Sequence, residues 1–193
     1  MKANSLEQRI IDISRSHGLS HIGSCISVLP ILFEIYLTKN PNDIVIMDNA
    51  HAHLAHLVVR EKIENLTGIE KILETHGIHC DRKAGCDASG GSLGHALGIA
   101  IGMAMANKKR SIYVTVSDGS MMEGSNWEAL RIIHDLELDQ IHIHCNFNGY
   151  TAVSNYNIEY MKDRLMATAR NIQIHHTSNG EGFEGLQGHY KVL

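Results

Sequence analysis

An aspartate and an asparagine, each followed by a glycine, stand after two β-rich runs in the middle of the chain. Asp118 follows the run over residues 112–116, and Asn148 follows the run over residues 141–145. A helical stretch from about residue 123 to 135 separates them, so the pattern predicts a βαβ unit. Ligands bind at the carboxyl ends of parallel strands, and a right-handed crossover can bring two such ends together. We therefore expect both side chains to converge on one hard cation, with Mg²⁺ the best match for carboxylate and amide oxygens.

The same corner of the predicted sheet could also hold a phosphate. Gly119 has no side chain to keep an anion away from the first amides of the helix that follows. Those N–H groups and the helix dipole favour negative charge. The alternative is an ordinary doubly wound domain, because aspartate and asparagine are common in the turns at strand ends.

The residues around this unit resemble the thiamine-diphosphate signature of the transketolase family. Asp-Gly followed thirty positions later by Asn-Gly has the family's spacing, and residues 122–129, MEGSNWEA, are similar to its EG..WEA continuation. Residues 90–104 are closely similar to the family's GPLGQG…A.GMA segment. One departure is Ser117, which replaces the first glycine of the family's Gly-Asp-Gly and adds a Cβ beside the expected diphosphate.

Four histidines lie in segments that match the family to different degrees. His21 lies in a turn that resembles GHPG, with isoleucine in place of proline, and His51 lies in a corner that resembles NGH, with alanine in place of glycine. His79 lies in a degenerate form of the family's PGHPE, and His189 matches its late histidine. The alternative for each is a histidine without a functional role, either on the surface or hydrogen-bonded in the interior.

The resemblance implies a role for each of these positions. The metal that bridges the diphosphate would be bound by Asp118, Asn148 and the backbone carbonyl of Tyr150. The remaining cofactor contacts would come from His51 and Gly119 at the phosphates and from the turn Gly91, Ser92, Leu93 and Gly94 at the aminopyrimidine. Near the reacting carbon, protons and sugar hydroxyls would be handled by His21, His79 and His189, since histidine titrates near neutral pH.

Glu123 is a separate case with two interpretations. At the start of the helix after the phosphate corner, its carboxylate would gain a few tenths to about 1 kcal/mol from the helix dipole. In the transketolase family the matching glutamate lies at the interface between two subunits, next to both cofactors. We therefore expect Glu123 either to cap the helix or to contact the cofactor site through that interface.

Composition excludes several other classes of protein. A net charge of −4, with no basic run, argues against nucleic acid as the main partner. The longest apolar stretch, residues 97–106, is interrupted by glycines and too short to span a bilayer. The first ten residues, MKANSLEQRI, lack a signal-peptide core, so the expected location is the cytoplasm.

The 14 histidines and four cysteines raise the question of zinc. Most of the close histidine pairs are two residues apart in the sequence. On a strand such residues share one face, which is more typical of a half-polar surface than of a metal site. The best zinc candidate in the sequence is the set His76, His79, Cys80 and Cys86, whose spacing matches no standard finger or knuckle.

The expected fold is α/β, a doubly wound, mainly parallel sheet flanked by helices, as in the thiamine-diphosphate-binding fold. The patterns predict helices over residues 3–17, 24–37, 52–64, 68–75, 123–135 and 159–169, strands over residues 43–47, 112–116, 141–145 and 171–175, a polar loop over residues 76–91 and a polar turn over residues 151–157. We expect residues 1–193 to form one diphosphate-binding domain, without the family's pyrimidine-binding and C-terminal domains.

Together these expectations describe the N-terminal subunit of a split transketolase-like enzyme. It would use thiamine diphosphate and Mg²⁺, or Ca²⁺ or Mn²⁺ in its place, to move a two-carbon ketol unit between sugars or sugar phosphates. It would act only with a C-terminal transketolase-like subunit that carries the pyrimidine-binding domain, most simply as a heterotetramer with two of each subunit. The alternatives are a subunit of a 2-oxo acid decarboxylating enzyme and a non-catalytic binding or regulatory subunit.

Overall fold

The chain alternates helices and strands in the computed structural model, which describes residues 4–151 and 156–193. The helices are α1 (Asn4–His17), α2 (Ile22–Thr38), α3 (His53–Glu64), α4 (Ile69–His76), α5 (Ala96–Ala106), α6 (Gly124–Asp135), α7 (Ile158–Thr168) and α8 (Gly185–His189). The strands are β1 (Ile44–Met47), β2 (Ile112–Ser117), β3 (Ile141–Phe147) and β4 (Ile172–His176). Short 3₁₀ turns occupy Ala50–Ala52, Arg82–Ala84 and Ser120–Met122.

The four strands form one parallel sheet in the order β1-β2-β3-β4. Ile44 is in register with Ile112, which is in turn in register with Ile141. All their carboxyl ends therefore lie at the same edge of the sheet, and the ends of β2 and β3 are neighbours. This is the arrangement predicted for the βαβ unit around Asp118 and Asn148.

Helices cover both faces of this sheet. Alternate residues of β1 belong to different cores: Val45 and Met47 pack with α1 to α4, whereas Ile44 and Ile46 pack with α5, α6 and α7. A strand that is buried on both faces is apolar throughout, which explains the continuous run of four apolar residues in β1. The predicted α/β sheet flanked by helices is confirmed, although the strands follow one another in chain order without reversal.

The predicted elements agree with the structure to within about two residues at most ends, which is the usual uncertainty of helix boundaries. The main local difference follows β2. A 3₁₀ turn over Ser120–Met122 intervenes there, and α6 begins only at Gly124, so Glu123 precedes the helix. Residue 3 of the first predicted helix and most of the turn predicted over residues 151–157 lie outside the described residues. Among the described residues, no helix is both long and apolar enough to cross a membrane.

Candidate functional site

A polar cavity of about 480 Å³ opens at the carboxyl edge of the sheet, within the range of volumes typical of ligand pockets. Its walls come from the start of α2, the segments after β1, β2 and β3, the loop before α5 and the C-terminal segment. The predicted site residues that line it are His21, His51, His79, Gly91, Leu93, Asp118, Gly119, Asn148, Tyr150 and His189. Residues that the sequence places up to 168 positions apart are thus brought together in one cavity.

Asp118 is completely buried at the floor of this cavity. One carboxylate oxygen, Oδ2, accepts hydrogen bonds from the backbone amides of Asn148, Gly149 and Tyr150, at 3.1, 2.8 and 3.2 Å, and from the hydroxyl of Tyr156 at 2.9 Å. The turn after β3 is therefore wrapped around the carboxylate that ends β2. This contact holds together the two strand ends that the sequence predicted to converge.

The electrostatic surroundings of Asp118 favour a cation. Burial raises the pKa of this carboxyl above its ordinary value, although the hydrogen bonds from Tyr156, Gly149, Gly119 and Asn148 lower it. All of these donors are neutral, and none of the ion pairs found among the described residues includes Asp118. A buried carboxylate with only neutral partners gains from an added positive charge, which an oxygen-liganded metal ion would supply.

Asn148 is oriented by a serine from α2. Its side-chain nitrogen donates to Ser27 Oγ at 3.3 Å, and its side-chain oxygen accepts from the Tyr150 amide at 3.0 Å. That same amide also donates to Asp118, so the carboxylate and the amide oxygen lie on the same side of the turn. Ser27 also receives a hydrogen bond from Asn146, at 3.0 Å, which fixes its position.

Four histidines form one wall of the cavity. The ring of His21 lies 5.0 Å from that of His51 and 4.6 Å from that of His189, measured between centroids. His79 also lines the cavity. Burial, followed by the charges of His189 and His79, lowers the pKa of His21 to about 4. Burial, followed by the charges of its neighbours, lowers the pKa of His51 to about 3. The rings of His21 and His51 are therefore neutral at pH 7 and can donate or accept hydrogen bonds and accept a proton.

The backbone around His21 is held in an unusual conformation. His21 has a φ of +64° and immediately precedes α2, and its amide donates to the carbonyl of His189 at 3.0 Å. Its Nδ1 lies 2.7 Å from Ser20 Oγ. The first contact ties the start of α2 to the end of α8, and the second orients the ring of His21.

The glycine turn before α5 is anchored by Asp48, a residue for which the sequence predicted no role. Asp48 follows β1 and is buried, and its carboxylate accepts from the amides of Gly94, His95 and Ala96 at 2.8, 2.9 and 2.9 Å. It thereby caps the N-terminus of α5 from another element. Asn126 Nδ2 donates to the same carboxylate at 3.3 Å. Gly91 and Leu93 owe their place in the cavity to this anchor.

Three predicted site residues do not line the cavity. Ser92 is exposed on the far side of the turn. Gly94 lies behind it, with a φ of +89°, and a Cβ there would come within 2.8 Å of Glu123 Cβ. Glu123 is exposed, and its side chain makes no capping hydrogen bond to α6. Glu123 therefore occupies the N-cap position of α6 but does not cap the helix through a side-chain hydrogen bond, and its expected contact through a subunit interface stays a prediction.

The amides after β2 are not free for a phosphate as expected. The Gly119 amide donates to Asp118 Oδ1 at 3.2 Å and the Ser120 amide to Ser117 Oγ at 3.1 Å, and the next three amides bond within the 3₁₀ turn. Gly119 nevertheless keeps the floor of the cavity open. A Cβ at this position would lie 3.3 Å from the carbonyl oxygen of Thr151 and 3.4 Å from Leu93 Cδ1.

One further polar group faces the cavity without a partner. Asn179 is 4% exposed, and its side-chain oxygen has no hydrogen-bond partner among the described residues. A buried acceptor without a donor is unfavourable by about 1–3 kcal/mol, so a ligand that supplies an N–H or O–H here would be stabilised. Asn179 lies in a loop after β4 with no local sequence signal, and the sequence could not identify it.

Comparison with known proteins places the chain in one family. Residues 2–183 match the N-terminal part of the family described as 1-deoxy-D-xylulose-5-phosphate synthase. A subunit of the apulose-4-phosphate transketolase of Actinobacillus succinogenes is 28% identical, over 72% of this chain and 59% of that protein. The 6-deoxy-6-sulfo-D-fructose transketolase subunit SqwG of a Clostridium species is 27% identical, over 89% of this chain and 72% of that protein.

Larger relatives match over only a quarter to a third of their own length. Human transketolase is 30% identical over 72% of this chain, which corresponds to 26% of the human protein. The solved transketolase of Leishmania mexicana superposes with a TM-score of 0.67 at 20% identity, over 85% of this chain and 30% of that one. At this identity the superposition shows the shared fold alone. The chain spans about three fifths of the Actinobacillus relative and less than a third of these longer enzymes.

Proposed function

Because the chain belongs to the family of the N-terminal domain of 1-deoxy-D-xylulose-5-phosphate synthase, a transketolase-like domain, we propose that it is the thiamine-diphosphate-binding subunit of a split transketolase-like enzyme. Its reaction is the transfer of a two-carbon ketol unit between sugars or sugar phosphates. The observation that carries the proposal is the cavity in which Asp118, the turn after β3 and the histidine wall meet. The names of two relatives, both subunits of transketolases, support a split enzyme.

The residues at the floor of the cavity fit a metal and a diphosphate. Asp118 and Asn148 offer oxygen ligands of the kind that Mg²⁺ prefers, and Ca²⁺ or Mn²⁺ could replace it. The carbonyl of Tyr150 is the proposed third protein ligand. The chemistry of the donors fits a hard cation, because a buried carboxylate has only neutral partners there. His51 and Gly119 are the proposed neighbours of the phosphates, and Gly91 and Leu93 those of the aminopyrimidine ring.

When bound, thiamine diphosphate supplies a carbanion that adds to a carbonyl and stores the resulting charge in its thiazolium ring. This chain binds and orients the cofactor and transfers protons to and from the substrate. The imidazoles of His21, His79 and His189 can hold a sugar hydroxyl and take up its proton. His21 and His189 are positioned for this by the hydrogen bond between their backbones. The partial burial of His21 and His189 keeps bulk water from one side of the cavity.

A second polypeptide completes the proposed enzyme. Thiamine enzymes of this family build their sites between a diphosphate-binding domain and a pyrimidine-binding domain. We propose that residues 1–193 form the first of these and that a C-terminal transketolase-like subunit supplies the second, in an assembly of two of each. Glu123, exposed beside the glycine turn, is the proposed point of contact between subunits.

The test has a binding arm and a catalytic arm. In the first, calorimetry measures the affinity of the chain, with the partner subunit present, for thiamine diphosphate and Mg²⁺. Asp118→Asn removes the charge but keeps most of the shape, and we expect it to weaken affinity by about tenfold or more, since a charged contact stabilises by about 1.5–3 kcal/mol. Asp12→Asn, an exposed change on α1, is the matched control and should leave affinity unchanged.

The catalytic arm distinguishes the alternatives. The reconstituted pair is supplied with a ketose donor and an aldose acceptor, and in parallel with 2-oxo acids. Cofactor-dependent transfer to the aldose supports the proposal. Consumption of 2-oxo acids alone would favour a decarboxylating enzyme, the first alternative. Unchanged partner association and function in Asp118→Asn, with no cofactor bound, would indicate a non-catalytic subunit.

A further inference from the structure

Two histidines and two cysteines meet in the interior, away from the floor of the cavity. They are His53 and His56 from the first turn of α3 and Cys80 and Cys86 from the loop before α5, and all four are buried. Their possible ligand atoms all lie within 4.8 Å of one another. The sequence drew attention to Cys80 and Cys86 but paired them with the wrong histidines. His76 instead contacts Asp81, at 3.0 Å, and His79 faces the cavity.

The contacts indicate which atom of each residue faces the centre of the cluster. His53 Nε2 lies 3.2 Å from Cys86 Sγ, and His56 Nδ1 lies 4.0 Å from the same sulfur. The other nitrogen of His56, Nε2, lies 2.6 Å from the hydroxyl of Tyr36. Metal-bound histidines commonly bond through their second nitrogen to an oxygen in this way, which fixes the tautomer and the ring plane.

The spacing is close to that of a tetrahedral centre. With bond lengths of about 2.3 Å to sulfur and 2.0–2.1 Å to nitrogen, the ligands of a tetrahedral zinc ion lie about 3.4–3.8 Å apart. The four atoms are within 4.8 Å of each other, so a contraction of about 1 Å at most would complete the geometry. His53 and His56 are three residues apart on one helix and therefore project from the same face.

The burial of the cluster is hard to explain by packing alone. His53 and His56 are 0% and 2% exposed, and each has a ring nitrogen directed at the sulfur of Cys86. Polar side chains in the interior are unfavourable unless they are hydrogen-bonded or coordinate a metal. Two imidazoles and two thiols at one point are a donor set that zinc binds in closed, structural sites.

We propose that His53, His56, Cys80 and Cys86 bind one structural zinc ion. The ion fastens the loop before α5 to α3. That loop carries His79 beside Cys80, and α3 follows the segment that carries His51, so the zinc site holds two residues of the histidine wall in place. The backbone already connects the same elements, since the Cys80 amide donates to the carbonyl of Ala50 at 3.2 Å. This site is separate from the cofactor site and does not depend on the proposed enzymatic reaction.

The first experiment uses the unaltered chain, purified under reducing conditions without a metal-affinity step. Elemental analysis by mass spectrometry should find about one zinc ion per chain that survives a mild chelator wash, as closed four-ligand sites retain their metal. Replacement by Co²⁺ should give the d–d absorption of a tetrahedral ion together with a thiolate-to-cobalt charge-transfer band. These measurements need no variant, so the proposal can be tested even if the loss of a ligand prevents folding.

Variants then assign the ligands. Cys80→Ala and Cys86→Ala should each lower bound zinc by about tenfold or more, while Cys25→Ala, which removes a buried thiol outside the cluster, should leave it unchanged. Tyr36→Phe keeps all four ligands, and we expect it to weaken zinc affinity by about tenfold through the lost contact to His56.

Three results would overturn the proposal. One is a chain that holds no zinc and gains no charge-transfer band with Co²⁺. Another is zinc that remains at the same level in both cysteine variants, which would mean that it is bound by other histidines. The third is a metal-free chain whose mass is lower by two hydrogen atoms, with Cys80 and Cys86 protected from alkylation, which would show a disulfide instead.

Discussion

Removal of the Asp48 carboxylate should destabilise the protein more than any surface change, because this one side chain satisfies donors from two elements. Its Oδ1 accepts from the amides of His95 and Ala96, and its Oδ2 accepts from the Gly94 amide and from Asn126 Nδ2. In Asp48→Ala the three backbone amides lose their acceptor in a largely buried region, and Asn126 Nδ2 keeps only the carbonyl of Ser120. In Asp48→Asn the amide oxygen can still serve two of them, but an N–H₂ group now faces the other two.

The magnitude follows from these contacts. Loss of a helix N-cap alone costs about 1 kcal/mol, and a buried donor left unpaired costs about 1–3 kcal/mol. Because the opening of the turn lets water reach some of the donors, we expect about 3–5 kcal/mol for Asp48→Ala and about 2–3 kcal/mol for Asp48→Asn. A typical domain has only about 5–15 kcal/mol of stability, so either loss is large.

Urea denaturation followed by circular dichroism measures the effect. With a slope of about 2 kcal/mol per molar urea, the midpoint should fall by about 1.5–2.5 M for Asp48→Ala and by about 1–1.5 M for Asp48→Asn. Asp12→Ala, an exposed aspartate on α1 that accepts only from Gln8, is the control and should change stability by less than about 0.5 kcal/mol. A midpoint for Asp48→Ala equal to that of the control would refute the assigned role.

Two further predictions concern the effect of glycine substitutions on stability and the dependence of stability on pH. Gly23→Ala should destabilise by about 1–3 kcal/mol, since its Cβ would lie 2.7 Å from the carbonyl oxygen of Phe183. Gly102→Ala, on an open part of α5, should instead stabilise by about 0.5–1 kcal/mol in the same urea denaturation assay, and equal shifts would contradict the packing described. Burial is the main cause that lowers the pKa of His51 to about 3 and that of His144 to about 4. Only the unfolded chain takes up these protons as pH falls from 6.5 towards 4, so stability is full above pH 6.5 and should fall by up to about 1.4 kcal/mol per pH unit for each histidine. Urea midpoints at several pH values measure this slope, which should be shallower in His144→Gln and would be unchanged there if that ring were protonated in the folded state.

The meeting of Asp118 and Asn148 could be predicted because it follows from local patterns. Each residue follows a β-rich run. Because neighbouring parallel strands end at the same edge of a sheet, the two residues were expected to lie close together. The histidines followed from resemblance in short segments around each of them. In both cases the information needed lay within a few residues of the side chain concerned.

The role of Asp48 could not be predicted in this way. Its partners on α5 lie 46 to 48 positions away, so no capping signal appears in the residues before that helix. The same reason explains the wrong histidines in the zinc candidate, since His53 and Cys86 are 33 positions apart. Glu123 is a different case: the 3₁₀ turn places it at the N-cap position of α6, and glutamate is not among the short side chains that usually cap a helix from there.

Three imidazole rings that pack against one another, those of His21, His51 and His189, make the cavity wall respond to acid as a group. A positive charge on His189 or His79 lowers the affinity of His21 for a proton, so uptake of the first proton opposes uptake of the second. The titration of the wall therefore spreads over a wider pH range than that of isolated imidazoles. An anionic molecule resting against the wall would offset this repulsion, and its binding would be accompanied by proton uptake from the buffer.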